Sequence, residues 1–408
     1  MSKGNVIVGQ SGGPTSVINA SLAGVYDTAR KNGTGRVFGM LNGIQGLLAG
    51  RYIDMGQYVG DQVELLKRTP SSYLGSCRYK LPSVKKAPEA FEQIFARLKE
   101  WDIKHFFYIG GNDSMDTINK LNEYAVAHGI KDITFMGVPK TVDNDLPITD
   151  HTPGFGSAAK YIGTTLKELI CDSKVYPDIK LAMVVEIMGR NAGWLAAAAS
   201  LAKDQDCDGA DMILLPETVF CEEKFNDRMA DIFKKKNSVL IAVSEGVKTA
   251  DGRYVCDALG SCAKDAFGHA TLGGTAAVLA NQIKSKFGAK VRPIELSSIQ
   301  RCAAHISSLT DVNEAFGAGE AAVKAAFAGI SGKMPVFIRK SDNPYVMNIE
   351  LTDVKNVANV EKKVPDEWII NDGTYVSNDV LTYMRPLIQG ECAPIMENGI
   401  PRHLVLKI

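Results

Sequence analysis

From His105 to Asp116 the chain reads His-Phe-Phe-Tyr-Ile-Gly-Gly-Asn-Asp-Ser-Met-Asp. A largely apolar run ends in two glycines, and small polar residues then open a segment of helical periodicity, Ser114–His128. A run without clean polar alternation reads as a strand buried on both faces. A strand that turns through glycine straight into a helix is the repeating unit of an α/β fold. The same pattern recurs outward in both directions. Asn5–Gly9, Val37–Leu41, Ile133–Val138, Leu181–Met188, Met212–Pro216, Val239–Ser244 and Val291–Leu296 read as further buried strands. Thr15–Lys31, Ala90–Trp101, Ser157–Ser173, Gly193–Ala202, Lys224–Lys235, Ala270–Phe287 and Asp311–Ala328 carry helical spacing. This alternation predicts α/β architecture: two doubly wound, mostly parallel-sheet domains facing each other across a cleft. In such sheets ligands sit beyond the carboxyl ends of the strands, where the glycine turns fall. The stretch from Ser341 to Gly399 is less periodic and is expected to wrap over the rest, with Asp342-Asn343-Pro344 as a turn.

A chain of 408 residues is long enough for two domains and a third small one. Lys and Arg number 46, as do Asp and Glu, so the net charge is zero. That argues against a general nucleic-acid binder, which carries a basic excess. No apolar stretch approaches the ~18 residues of a membrane helix. Met1–Gly9 has no apolar signal region, so export is not expected. The cysteines at 77, 171, 207, 221, 256, 262, 302 and 392 form no Cys-x-x-Cys pair, which fits a reducing cytoplasm better than zinc or a disulfide framework. The histidines at 105, 128, 151, 269, 305 and 403 show no metal-ligand spacing.

Four segments could carry chemistry. Val8–Thr15, with Gly12 and Gly13, follows a strand and opens a helix, an arrangement that brings backbone amides to an anion. In Tyr108–Asp116, Asn112 or Ser114 could cap the helix, whereas Asp113 at the mouth of an anion site needs a metal ion or a lysine to balance it. In Gly137–Asp145 a buried strand delivers Lys140, Thr141, Asp143 and Asp145; in an extended chain both aspartates point the same way. One can act as a general base while the other tunes its pKa or orients a metal-bound water. In Val185–Gly193 a strand ends at Arg190, which can clamp a phosphate or a sugar hydroxyl. Arg292 and Arg301 flank the last strongly apolar strand and are candidate anion clamps for the same cleft. Gly154-Phe-Gly-Ser-Ala-Ala159 fits a loose dinucleotide pattern, but Pro147 and Pro153 precede it where a strand is required. There is no G-x-x-x-x-G-K-[ST], which excludes an ordinary P-loop kinase.

Together, Ser11-Gly-Gly-Pro14, Gly110-Gly-Asn-Asp-Ser114, Pro139-Lys-Thr-Val-Asp-Asn-Asp145, Met188-Gly-Arg190 and Ile299-Gln-Arg301 resemble the phosphofructokinase family in content and in order. The resemblance runs from about Asn5 to about Ala328 and is looser beyond. It implies Mg²⁺-dependent phosphoryl transfer to the 1-hydroxyl of fructose 6-phosphate. It implies a donor domain at 1–155 plus about 303–345, and a sugar-phosphate domain at 156–302 plus about 346–408. Asp143 matches the family's base, with Thr141, Val142 and Asp145 beside it. Met188, Gly189 and Arg190 match sugar-phosphate contacts, and Glu245 matches a hydroxyl-binding glutamate. Arg292 and Arg301 match the 6-phosphate clamps, one of which comes from a neighbouring subunit, so a homo-oligomer, dimer or tetramer, is implied. Gly12, Gly13, Arg78 and Ser114 match donor-phosphate contacts.

The donor follows from two positions. ATP-using members resemble Gly-Gly-Asp-Gly-Ser and Pro-Gly-Thr, with glycine where this chain has Asp113 and Lys140. A carboxylate at 113 fills the space of a nucleotide's α-phosphate and repels it. An ammonium at 140 can hold donor phosphates and offset transition-state charge. Pyrophosphate-using members look like this sequence at both positions, so the expected reaction is reversible transfer from pyrophosphate with little allosteric control. ATP as donor, or a non-catalytic regulatory subunit, are the alternative readings. The chain departs from the family at Asn112, where a metal-binding aspartate is usual, and at Ser298, where many members have histidine. Leu181 stands at an arginine position, with Lys180 one residue earlier.

Overall fold

The computed structural model describes residues 3–259 and 273–407. Cys262, His269 and the first residues of the segment read as helix from Ala270 lie outside the described residues. The chain builds two principal sheets. The first runs in the order Tyr345–Asp353, Lys333–Asp342, Thr134–Pro139, Ile103–Gly110, Asn5–Gln10, Val37–Met40, Tyr52–Asp54. Its centre is parallel; Ile7 stands in register with both Phe38 and Phe106, and Tyr108 with Gly137. The second has four parallel strands in the order Lys290–Glu295, Leu181–Ile187, Ser238–Ser244, Met212–Leu214. The inner strands of both are buried along almost their whole length, as continuous apolar runs require. All eight strands expected from the sequence are present, within one or two residues at most ends.

Two features differ from the sequence reading. Lys290–Glu295 is a largely exposed edge strand, not one buried on both faces, and Pro293 is tolerated there because an edge has a side without ladder bonds. The stretch around Asp342-Asn343-Pro344 is indeed a turn, but it joins an antiparallel hairpin, Lys333–Asp342 with Tyr345–Asp353, that extends the first sheet. After it the chain crosses to the other sheet, and Val364, Val376, Val380, Met384 and Leu387 join the core formed on helix Phe155–Ser173.

Helix Leu309–Phe327 returns to the first sheet and crosses helix Ile18–Lys31 at backbone contact. A Cβ at Gly24 would lie 2.1 Å from the Phe316 carbonyl oxygen, and one at Gly319 would lie 2.3 Å from that of Ser21. Only glycine at both positions permits this approach. The chain therefore passes between the sheets several times, and the loops at their carboxyl ends face one another.

Candidate active site

Three strand ends converge on a pocket of about 670 Å³ lined by Gly12, Gly13, Arg78, Asn112, Asp113, Ser114, Lys140, Thr141, Asp143 and Asp145. The strand Asn5–Gln10 delivers the first glycine turn, with Gly12 at φ +73°. Ser76 Oγ donates to the Gly12 carbonyl at 2.6 Å, and the Gly12 amide donates to Cys77 O at 3.1 Å, which brings the Arg78 loop alongside. The strand Ile103–Gly110 ends in Gly110-Gly111, and the helix begins at Asn112. Neither Asn112 nor Ser114 caps that helix by a side chain. Ser114 Oγ instead shares a hydrogen bond with Ser11 Oγ, tying the two glycine turns together. A side chain at Gly110 would strike Ser114 Oγ, so the pair needs that glycine. Asn112 Oδ1 is buried without a hydrogen-bond partner.

Lys140 emerges from strand Thr134–Pro139 and is almost wholly buried. Its ammonium donates to the Gly13 carbonyl at 2.6 Å. Burial pushes Lys140 down to about 8, against the opposing pull of Asp143 and Asp145. Burial likewise raises the Asp143 carboxyl, while Lys140, the Thr141 hydroxyl, Arg301 and Arg190 draw it back. Asp145 is pushed up to about 7, first by burial and then by Asp143. The segment is not extended as expected: Asn144 lies at φ +55° in the left-handed region. Both carboxylates still line the pocket.

Asp113 forms an ion pair with Lys80 at 3.1 Å. The lysine that balances Asp113 is thus Lys80, two residues beyond Arg78. Nothing in the sequence singles Lys80 out except that neighbour.

The sugar-side candidates are divided. Gly189, at φ +141°, turns the chain after strand Leu181–Ile187, and its carbonyl accepts from Ser244 Oγ at 2.6 Å. The Gly189 amide also bonds the Glu245 carboxylate, which burial raises and Asp143 raises further, with Arg190 opposing. The Met188 amide donates to Gln300 Oε1 at 3.2 Å. Arg190 lines an adjoining pocket of about 200 Å³ with Lys248, Glu361 and Lys363, and Glu361 borders both pockets. Arg301 lies against the first glycine turn: its Nη1 is 3.2 Å from where a Cβ on Gly13 would be. Arg292 lies on the exposed edge strand, pairs with Asp172 at 3.2 Å and lines neither pocket. Ser298 is exposed. The Val142 side chain packs into the core of the second sheet rather than into a pocket. Glu361 and Asn359 come from the weakly periodic C-terminal stretch, and no local pattern marks them.

The dinucleotide-like segment is accounted for structurally. Asp311 accepts from the Gly154 and Ser157 amides at 2.9 and 2.8 Å. The protein's own carboxylate thus occupies the helix N-terminus that a pyrophosphate bridge would need.

Comparison with known proteins gives concordant results. The phosphofructokinase family model matches residues 5–326. The chain is 42% identical, over 100% of its length and 96% of its relative's, to a protein of Methylococcus capsulatus named pyrophosphate--fructose 6-phosphate 1-phosphotransferase. It superposes with a TM-score of 0.88 and 38% identity on a solved pyrophosphate-dependent phosphofructokinase from Marinobacter aquaeolei, covering 99% of this chain and 96% of that one. A second such structure, from Nitrosospira multiformis, gives 0.89 and 39%, covering 98% and 96%.

Proposed function

The chain belongs to the phosphofructokinase family, and from that premise we propose that it transfers a phosphoryl group from pyrophosphate to the 1-hydroxyl of fructose 6-phosphate. The products are fructose 1,6-bisphosphate and phosphate, and the reaction runs reversibly in glycolysis and gluconeogenesis. One observation carries the choice of donor. The pocket holds a buried ammonium, Lys140, beside Gly13, while the Lys80–Asp113 pair stands on its wall. A compact dianionic donor gains from the first; a nucleotide's α-phosphate meets the second.

In this reading Asp143 takes the proton from the 1-hydroxyl, and the freed oxygen attacks the near phosphorus as phosphate leaves. A carboxyl raised by burial is better matched to that task than one in water. Lys140 and Arg301 face the charge that spreads over the transferring oxygens. Arg190 and Glu245 orient the sugar phosphate.

The residues present fit a Mg²⁺ ion carried by the donor. Asn112 offers a buried, unpartnered amide oxygen, a donor of the hard kind that Mg²⁺ takes alongside substrate phosphates. Bound there, the ion neutralises phosphate charge. Arg292, on the exposed edge strand and paired with Asp172, lies away from the pocket of its own chain; in a homo-oligomer it would serve the site of a second copy. Among the described residues no helix is long and apolar enough to cross a membrane, and the described cysteines are free. A cytoplasmic location is consistent with both.

The test is a coupled assay with fructose 6-phosphate at equal Mg²⁺, comparing pyrophosphate with ATP. A higher kcat/KM for pyrophosphate is expected. Preference for ATP would overturn the reading.

A further inference from the structure

The loop carrying Asp143 and Asp145 has no regular secondary structure, yet it is held from one side by a segment far away in sequence. Asn144, fully buried and left-handed, sits between the two carboxylates. Its Nδ2 donates to Tyr383 Oη at 2.8 Å, and Tyr383 Oη donates onward to the Asp150 carbonyl at 2.6 Å. Its Oδ1 accepts from the Thr152 amide at 3.0 Å. Lys362 holds the same loop at two further points. Its amide donates to the Asp145 carbonyl at 2.7 Å. Its ammonium donates to the carbonyls of Thr149 and Asp150 at 3.1 and 2.7 Å.

The holding segment is itself anchored on the second sheet's side. Trp194 Nε1 donates to the Lys362 carbonyl at 3.0 Å, and the Lys362 ammonium lies 5.2 Å from the Trp194 ring. The Val364 amide donates to Glu217 Oε1 at 3.1 Å, and that oxygen also accepts from the Gly193 amide at 2.8 Å. Next to Lys362, Glu361 accepts from Asn191 at 2.8 Å, beside Arg190. Tyr383 packs against Trp194 and Trp368 at 5.2 and 5.7 Å between ring centres. One short strap therefore bonds the loop of the reacting carboxylates on one side and the Arg190 turn on the other.

We propose that Lys362 and Tyr383 are positioning residues: they fix the Asp143–Asp145 loop against the Met188–Arg190 turn, so that acceptor and donor meet at the right separation. This rests on the activity proposed above. Both residues lie beyond the span matched by the family model, which ends at residue 326, and neither lines the pocket. The ammonium of Lys362 makes both its hydrogen bonds to main-chain carbonyls, which set the path of a loop rather than the charge of a side chain. Misplacement by about 1 Å from a remote change can cost roughly a hundredfold in rate.

The experiment compares wild type with Tyr383→Phe, Lys362→Met and Lys362→Arg. Tyr383→Phe keeps the aromatic packing and removes only the hydroxyl relay. It should lower kcat by up to about a hundredfold while KM for both substrates stays within about twofold. Lys362→Met should do the same, and Lys362→Arg should restore part of the loss. Amide hydrogen exchange across residues 141–150 should speed up about tenfold in Tyr383→Phe. That last measurement needs no turnover, so it tests the clamp even if wild type proves inactive with pyrophosphate, a result that would sink the proposed activity alone. Unchanged kcat with unchanged exchange protection would overturn the clamp. So would a kcat loss matched by equal KM changes and a general fall in melting temperature, because that is the signature of a merely structural role.

Discussion

The ammonium of Lys80 stands 3.1 Å from the Asp113 carboxylate on the wall of the pocket that Lys140 and Asp143 also line. Both side chains are mostly exposed, at 62% and 72%, and an exposed pair of this kind contributes about 0–1 kcal/mol to stability. Its significance lies in the charge it places beside the donor. Asp113→Gly should remove the carboxylate, open space and leave Lys80 free to meet an α-phosphate. The kcat/KM for ATP should rise roughly tenfold or more, by removal of about 1–2 kcal/mol of like-charge repulsion. The melting temperature should stay nearly constant. The ratio of kcat/KM for the two donors, measured in wild type and variant, checks this; ATP as inert as before would show that position 113 is not the barrier.

Asp143→Asn should keep the hydrogen bond from its amide to the Thr141 hydroxyl and abolish the base. A loss of ~10²–10⁴-fold in kcat with modest KM change is expected. Near-normal steady-state turnover would remove Asp143 from the mechanism.

Lys140 is held down to about 8 chiefly by burial, and its useful form is the cation. Its charge is present below that value and lost as pH rises through it. Turnover with pyrophosphate should therefore fall on an alkaline limb near pH 8. Lys140→Arg, whose guanidinium stays charged, should move that limb upward, whereas Lys140→Met should cost roughly 10²–10³ in rate. A pH profile flat to 10 in wild type would contradict the assignment.

Arg301 and Arg292 were grouped by sequence but are separated in space. Arg301 lies by Gly13, within electrostatic reach of Asp143 and Lys140, so Arg301→Ala should lower kcat as well as raise KM for fructose 6-phosphate. Arg292→Ala should act mainly on that KM. If Arg292 completes a neighbouring subunit's site, mixing Arg292→Ala with Asp143→Asn chains should regenerate about a quarter of the wild-type sites in a twofold dimer. No recovery on subunit exchange would place Arg292 outside the active site.

What was legible beforehand followed from local physics. Strands such as Thr134–Pro139 are apolar because both faces are covered, and that shows in a single window of sequence. The hairpin Lys333–Asp353 escaped notice because Tyr345–Asp353 is covered on one face at most, with half-exposed residues alternating along it. The edge strand at Arg292 borrowed the look of a buried one from Val291, Ile294 and Leu296. Lys140, Asp143 and Asp145 stood out because charges at the end of a buried strand are costly. Lys80, Glu361, Lys362 and Tyr383 did not, because their roles arise from contacts with residues tens to hundreds of positions away. The left-handed turn at Asn144 was hidden for the same reason: the side chain that holds it from outside the loop is Tyr383, 239 positions away.

The hairpin has a further consequence, for how the chain is made. The strand Thr134–Pro139 is flanked on its outer side by Lys333–Asp342, roughly 200 residues later. At ~5–20 residues per second a ribosome takes roughly 10–40 s to deliver that neighbour. Helix Leu309–Phe327, which closes over Gly24, arrives equally late. During that interval the nascent first sheet offers an open edge and an uncovered apolar face, the state most prone to pairing with another chain. Synthesis that ends before residue 353 leaves the first sheet unfinished, so its assembly awaits the C-terminal quarter of the protein.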